Sequence, residues 1–103
     1  MPASYATEKL IKFELPDGRI FSQIDTSDKK YLLAWKRSAD DDWKVVRTYK
    51  TKQFAEKDRD YYLKIGWGME ETQIIQRTSK QYLKDMTDAE YYETMTLLEE
   101  SIR

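Results

Sequence analysis

The spacing of the apolar residues changes at Thr51, and this change constrains the fold more than any other feature of the sequence. Before Thr51, apolar and polar residues alternate in short segments that are separated by polar turns, which is typical of β-strands. After Thr51, apolar residues recur three and four positions apart, which is typical of amphipathic helices. The sequence therefore predicts an α+β fold with an antiparallel sheet and helices packed on it.

Four strands are predicted in the first half of the chain. They cover residues 8–15, 20–24, 31–37 and 43–50. The first two are joined by Pro16–Arg19, where proline and glycine occupy the positions that a tight turn requires. The simplest arrangement is a single antiparallel β-meander over residues 8–50. Alternation places Leu33 and Trp35 on one face of the third strand, and Trp43, Val45 and Tyr49 on one face of the fourth.

A helix is predicted over residues 51–65, with Thr51 as its N-cap and Gly66 as its stop signal. Its apolar residues fall on one stripe, which we expect to pack on the sheet. The stripe consists of Phe54, Ala55, Tyr61, Tyr62 and Ile65.

The last third of the chain contains one ambiguous segment and one clear helix. Residues 69–86 have the β-branched content of a strand but also helical spacing; we favour a short fifth strand followed by a helical turn. Thr87–Glu90 is a capping box, which predicts an acidic C-terminal helix over residues 87–103. Its apolar residues form a narrow seam. The seam consists of Tyr91, Met95, Leu98 and Ile102.

Length and composition predict one small domain over residues 1–103. Aromatic residues make up 14% of the chain, and their bulk is enough to close a core of this size. The N-terminal residues lack the apolar segment of a signal peptide, and no apolar run is long enough to cross a bilayer. We therefore expect a soluble cytoplasmic protein without a membrane association.

The chain contains neither cysteine nor histidine. Thiol chemistry, disulfides and imidazole acid–base catalysis are therefore excluded.

Two carboxylate patterns are weak candidates for a metal site. Asp17 with Asp28, Lys29 and Lys30 has the letter order of a metal-dependent nuclease, and Asp40–Asp42 offers oxygen ligands, but a hairpin turn explains each more simply. We expect no catalytic residues, no cofactor and no bound metal.

Charge is distributed unevenly along the chain. Residues 29–65 carry eleven basic and six acidic groups, whereas residues 66–103 carry four basic and eight acidic groups. The basic side chains are interleaved with Trp35, Trp43 and Tyr49, as in surfaces that contact nucleic acid or an acidic partner. Alternatively, the basic middle only complements the acidic last third. The candidate surface consists of Lys36, Arg37, Lys44, Arg47, Lys50 and Lys52.

The segment Tyr49–Glu56 resembles the aromatic-x-Thr-Lys-x-x-Ala junction of AP2-like, arm-type DNA-binding domains of phage and transposon integrases. The resemblance covers about residues 31–65 and departs at Phe54, where that family often has an acidic residue. It implies a three-stranded sheet followed by a helix, with the sheet docked on DNA. The same junction serves many small α+β domains, so the resemblance concerns fold more than function.

The function that these observations favour is non-enzymatic binding: a small regulatory protein that acts through protein–protein contact, in the style of accessory proteins of phages or mobile elements. The alternative is a DNA-binding module that uses the sheet face around residues 31–52. The helix seam has two interpretations: it docks the last helix on the domain's own sheet, or it makes a homodimer or fills a partner's groove.

Overall fold

The structure is a computed structural model that describes the backbone of residues 7–102 and the side chains of residues 7–99. Within this range it contains six strands and two α-helices, and a short 3₁₀ turn, Leu83–Asp85, precedes the second helix. The elements are β1 (Lys9–Glu14), β2 (Ile20–Asp25), β3 (Tyr31–Lys36), β4 (Lys44–Tyr49), α1 (Lys52–Lys64), β5 (Glu71–Gln76), β6 (Ser79–Tyr82) and α2 (Asp88–Ile102). No helix in this range is long and apolar enough to span a bilayer.

The strands form two antiparallel sheets of three strands each. One sheet has the order β2-β1-β6 and is called the β1 sheet; the other has the order β4-β3-β5 and is called the β3 sheet. The predicted α+β fold is confirmed, but the single four-stranded meander is not found. Strands β2 and β3 follow each other in sequence and belong to different sheets.

The molecule is built in four layers. Ile11 and Phe13 of the β1 sheet pack against Leu32 and Ala34 of the β3 sheet, and all four side chains are fully buried. The outer face of the β3 sheet is covered by α1, and the outer face of the β1 sheet is covered by α2. Each central strand therefore has both faces buried, as expected for strands in the middle layers of such a stack.

The connection between β2 and β3 moves the chain from one sheet to the other. The buried Asp25 carboxylate accepts hydrogen bonds from the backbone N–H of Lys29 at 2.7 Å and from Ser27. Asp28 takes a left-handed backbone conformation, φ 65°, and pairs with Arg77 at 3.3 Å and with the buried Lys9 at 3.7 Å. Polar contacts thus fix the passage of the chain from the β1 sheet to the β3 sheet. The pattern of apolar residues does not indicate this passage.

A β-bulge interrupts the pairing of β3 with β4. Leu33 lies opposite Arg47, but the next residue, Ala34, lies opposite Val45, so Val46 has no partner. The extra residue reverses the order of the two faces along β4. Val45 therefore packs between the sheets, whereas Tyr49 packs beneath α1.

The prediction that Trp43, Val45 and Tyr49 share a face is thus wrong for Tyr49. On β3, which carries no extra residue, alternation predicts the faces correctly: Leu33 packs towards α1, and Leu32 packs between the sheets. One inserted residue is enough to defeat a pattern with a period of two.

The predicted turns and caps are confirmed. Gly18 has a φ of 91° in the β1–β2 turn, and the Thr51 hydroxyl accepts a hydrogen bond from the Phe54 N–H at 3.2 Å. Gly66 follows the end of α1 with a φ of 73°, which suits a residue without a Cβ. At the start of α2, Thr87 and Glu90 make the reciprocal hydrogen bonds of a capping box.

The ambiguous segment contains one strand more than predicted. Strand β5 and the helical turn at Leu83–Asp85 agree with the expectation, but β6 lies between them. Strand β6 spans four residues and has no alternation of apolar and polar residues. Its conformation is set by pairing with β1, so local sequence carried little signal for it.

Candidate functional site

Helix α1 rests on the β3 sheet through a narrow contact. Within α1 only Ala55 is buried, where it packs against Leu33 and Tyr49. Phe54 is 60% exposed and Tyr61 is 57% exposed. The prediction that the five-residue apolar stripe packs on the sheet is therefore wrong for much of the stripe, because the small Ala55 makes the contact and the larger side chains beside it point outward.

A groove lies between this exposed flank of α1 and strand β4. It is an open cavity with a volume of about 530 Å³, which is in the range of ligand-binding clefts. Its apolar wall is made by Tyr49, Phe54 and Tyr61. Four cations also line it; they are Lys29, Arg47, Lys50 and Lys57. We call this cavity and its lining the α1–β4 groove.

The groove is lined by one acidic residue, Asp58, whose carboxylate accepts a hydrogen bond from the Tyr49 hydroxyl. Burial raises the pKa of Tyr49 well above its ordinary value, and the hydrogen bond to Asp58 raises the pKa further. The hydroxyl therefore keeps its proton at neutral pH and remains a donor to Asp58. This hydrogen bond holds the Asp58 carboxylate in place, where it forms a salt bridge with none of the groove cations.

The four groove cations have no acidic partner among the residues that the structure describes. None of them takes part in any of the salt bridges found there. Arg47 and Lys50 are exposed residues of β4 and of the junction that follows it, and Lys57 is exposed on α1. The groove therefore combines exposed aromatic surface with unpaired positive charge.

The structure divides the six basic residues of the predicted surface into separate groups. Arg47 and Lys50 line the groove, and Lys52 begins α1 without lining it. The other three lie at the β3–β4 turn, at the opposite end of β4. We call them the turn cluster; they are Lys36, Arg37 and Lys44.

Two members of the turn cluster are already engaged within the molecule. Lys36 pairs with Glu71 at 3.3 Å, and its ammonium lies 5.1 Å from the centre of the Trp43 ring. Lys44 pairs with Asp41 at 3.3 Å and lies 5.1 Å from the centre of the Trp35 ring. The tryptophans of the predicted surface thus stack on the domain's own lysines, which leaves less of their surface for a partner.

Two groove cations, Lys29 and Lys57, were absent from the predicted set. Lys57 follows Phe54 by three residues and precedes Tyr61 by four, so helical spacing alone places all three side chains on one flank. That signal was present in the sequence. Lys29 reaches the groove through the β2–β3 connection, and no local pattern indicates this.

The predicted helix seam is used inside the molecule. Tyr91, Met95 and Leu98 pack against a buried cluster of the β1 sheet and the following turn. That cluster consists of Leu10, Leu83 and Met86. The side chain of Ile102 lies outside the described residues. Helix α2 covers the β1 sheet, on the far side of the molecule from the groove, so it does not screen the groove cations.

The carboxylate patterns seen in the sequence are dispersed or engaged. Asp17 and Asp28 lie beyond opposite ends of β2, and each is paired with an arginine, Arg19 and Arg77 respectively. Among the described residues there is no group of three or more acidic side chains that could hold a metal ion.

No family model, no curated protein and no solved structure matches this chain. The likeness of residues 49–56 to AP2-like domains is confined to the strand-to-helix junction. In those domains one sheet face is free to dock on DNA, whereas both faces of the β3 sheet are covered here. In addition, the third strand of this sheet, β5, follows the helix instead of preceding it.

Proposed function

We propose that this chain is a small non-enzymatic binding protein that holds an acidic segment of a partner protein in the α1–β4 groove. The observation that carries the proposal is the set of four unpaired cations around an exposed aromatic wall. Lys9, Lys36 and Lys44 have carboxylate partners. Other basic residues outside the groove also lack one in the part of the chain that the structure describes, so the groove is distinguished by four unpaired cations that line a single cavity.

The aromatic wall supports a protein partner. Phe54 and Tyr61 expose more than half of their surface two turns apart on one helix flank, and Ile65 extends the same flank. Contiguous exposed apolar surface on a small domain is typical of interaction sites. Aromatic residues together with arginine are also the residue types that contribute most to binding at protein interfaces.

The charge of the groove defines the chemistry of the partner. Four cations that have no acidic partner repel one another, and an acidic segment would relieve this repulsion on binding. The Asp58 carboxylate keeps its negative charge and offsets part of this repulsion, but it forms a salt bridge with none of the four cations and accepts a hydrogen bond from Tyr49 instead. An acidic segment with one or two apolar side chains therefore complements both the apolar wall and the four groove cations.

DNA binding through the sheet face is less well supported by this geometry. The basic residues of the predicted surface lie in two places, and the sheet faces between them are buried under α1 and the β1 sheet. The groove is an apolar cleft with a basic rim, whereas a duplex requires an extended basic face that follows its phosphates.

Selection from a random peptide display library at low salt tests the proposal. We expect enrichment of peptides that combine several acidic residues with apolar ones. Two tyrosines provide a matched pair of variants. Tyr61 and Tyr92 are both exposed on helices, and each makes an edge contact with a neighbouring tyrosine, at 5.6 and 5.8 Å between ring centres.

Tyr61→Ser should weaken the selected peptides by about tenfold or more, as expected for an aromatic anchor, whereas Tyr92→Ser should leave them unchanged. Enrichment of basic peptides, or of none, would contradict the proposal. Equal losses in the two variants would also contradict it. Displacement of the peptides by random-sequence duplex DNA, with an affinity that falls steeply with salt, would replace it with nucleic-acid binding.

A further inference from the structure

The shape of the groove also indicates the conformation of its occupant. Resting on the proposed function, we infer that the partner segment binds as an acidic amphipathic α-helix that lies along α1, and that it does not add to the sheet as an extra strand. Three features lead to this inference: the ridge on α1, the state of the β4 edge, and the positions of the cations.

Two exposed apolar residues of α1 and its C-cap residue lie along one line on the helix, which we call the ridge; Lys57 and Asp58 lie one turn after the first of them. Phe54, Tyr61 and Ile65 are related by seven and four positions, so they lie on one line on the helix surface. All three are more than half exposed. The ridge spans about 16 Å, which is the length of roughly three helical turns. An apolar seam of similar length on a second helix would pack its own ridges beside this one.

The edge of β4 is poorly suited to accept a strand, although β4 is an edge strand of its sheet. Val46 is bulged, and a bulge interrupts the regular series of backbone groups that strand addition needs. Thr48, in the stretch that lines the groove, is only 5% exposed, and its hydroxyl bonds to Gln23 at 3.0 Å. The chain is therefore covered at Thr48, and a strand could not pair with this edge without interruption.

The cations come from both elements that border the groove. Lys57 belongs to α1, whereas Arg47 and Lys50 belong to β4 and its following junction. A helix in the groove would place acidic residues on both flanks of its apolar seam against these cations. Helix α2 of this same chain is built in this way, because an apolar seam runs along a helix whose charged residues from 88 to 99 are all acidic.

Three synthetic acidic peptides test the inference. The first has leucines spaced at three and four residues among glutamates and alanines, and the second has the same composition with leucines at every second position. The third is the first peptide with a central proline, which breaks a helix. Binding is measured by fluorescence anisotropy, and the conformation of the bound peptide is measured by circular dichroism.

We expect the first peptide to bind about tenfold or more tightly than the other two, and to gain helical signal on binding. Tyr61→Ser should abolish this advantage, whereas Tyr92→Ser should preserve it. Preference for the alternating peptide, or indifference to proline, would overturn the helical inference, as would the failure of all three peptides to bind. The library selection judges the groove separately, so enriched acidic peptides without helical spacing would leave the proposed function intact.

Self-association gives a further outcome. If the protein dimerises with rising concentration and Tyr61→Ser prevents it, a second copy occupies the groove, and the inference of a separate helical partner segment would be overturned, because the seam of α2 is already packed on the β1 sheet. Equilibrium sedimentation at low salt provides that measurement.

Discussion

Two basic regions lie at opposite ends of β4, and they differ in how their charge is used. In the turn cluster, Lys36 and Lys44 each have a carboxylate at 3.3 Å and an aromatic ring at 5.1 Å. In the α1–β4 groove, Arg47, Lys50 and their neighbours have no carboxylate partner within the described range. The two regions come from one basic stretch of sequence, yet the fold gives them different surroundings.

The difference teaches that charge is most available to a partner where the fold leaves it unpaired. A cation that is held by a carboxylate and a ring contributes to the stability of its hairpin and offers little to a partner. Clustered cations without partners repel one another, and this costs the folded state some stability. A binding site commonly carries such a cost, because residues arranged for a partner are not arranged for the free protein.

Reversal of charge in each region should separate binding from stability, and this is the largest effect we expect. Arg47→Glu with Lys50→Glu should weaken an acidic peptide by about 100-fold, or about 2.7 kcal/mol, with little change in the melting temperature. Arg37→Glu with Lys44→Glu should leave binding unchanged but lower the melting temperature, because the carboxylate introduced at position 44 would face Asp41. Peptide titration and thermal unfolding of both variants provide the measurements.

The comparison would fail if the two double variants lost binding equally, since peptide affinity would then follow net charge and not the groove. It would also fail if reversal in the groove unfolded the protein, because Arg47 and Lys50 would then have a structural role.

Much of the local structure could be predicted from the sequence. Capping and turn chemistry are local, so Gly18, Thr51 and the capping box at Thr87 were identified correctly. The apolar residues on both faces of β3 also held information about the layers. A strand that is apolar on both faces must be buried on both. A single sheet with one helix packed on it buries only one face. This signal pointed to a second layer.

The site itself was less accessible to sequence reasoning. The bulge at Val46 depends on pairing with β3, and it moves Tyr49 to the α1 side. The exposure of Phe54 depends on how closely Ala55 lets α1 approach the sheet, which the helical pattern does not specify. The sequence also does not show which basic residues form salt bridges, because their acidic partners can be distant along the chain. Tertiary packing, not local preference, thus decides which cations form the site.

Removal of the Tyr49 hydroxyl tests how its hydrogen bond to Asp58 affects stability and peptide binding. We expect a smaller effect than that of charge reversal. Tyr49→Phe removes the hydrogen bond to Asp58 and should lower the free energy of unfolding by about 1–2 kcal/mol at neutral pH. Without this hydrogen bond the Asp58 side chain is free to turn and pair with a groove cation, so an acidic peptide should bind more weakly. Chemical denaturation and peptide titration measure the two effects.

The same variant carries a prediction for alkaline pH. Burial and the Asp58 carboxylate raise the pKa of Tyr49 in the folded protein above its ordinary value of 10.0. The folded state then keeps a proton that the unfolded chain releases above that pH, so the contribution of Tyr49 to stability is complete below pH 10 and falls as the pH rises. The stability gap between wild type and Tyr49→Phe should therefore narrow above pH 10. A constant gap would show that the hydroxyl is not the group that titrates.

The smallest effect concerns acid pH at the turn cluster. A hydrogen bond from Lys44, together with backbone N–H groups of Arg37 and Asp42, holds the pKa of Asp41 below its ordinary value of 3.8. A lowered pKa stabilises the fold above that ordinary value and ceases to do so as the pH falls through the folded-state pKa. Asp41→Asn should therefore lower the melting temperature slightly at neutral pH, and the difference in melting temperature from wild type should disappear below pH 3.8.

Asp40→Asn, a change at the adjacent exposed residue, should have no such effect, because Asp40 makes none of the salt bridges found in the described structure. Equal effects of the two variants would mean that Lys44 is no better paired than the groove cations, and the contrast between the two ends of β4 would then rest on the groove's aromatic wall alone.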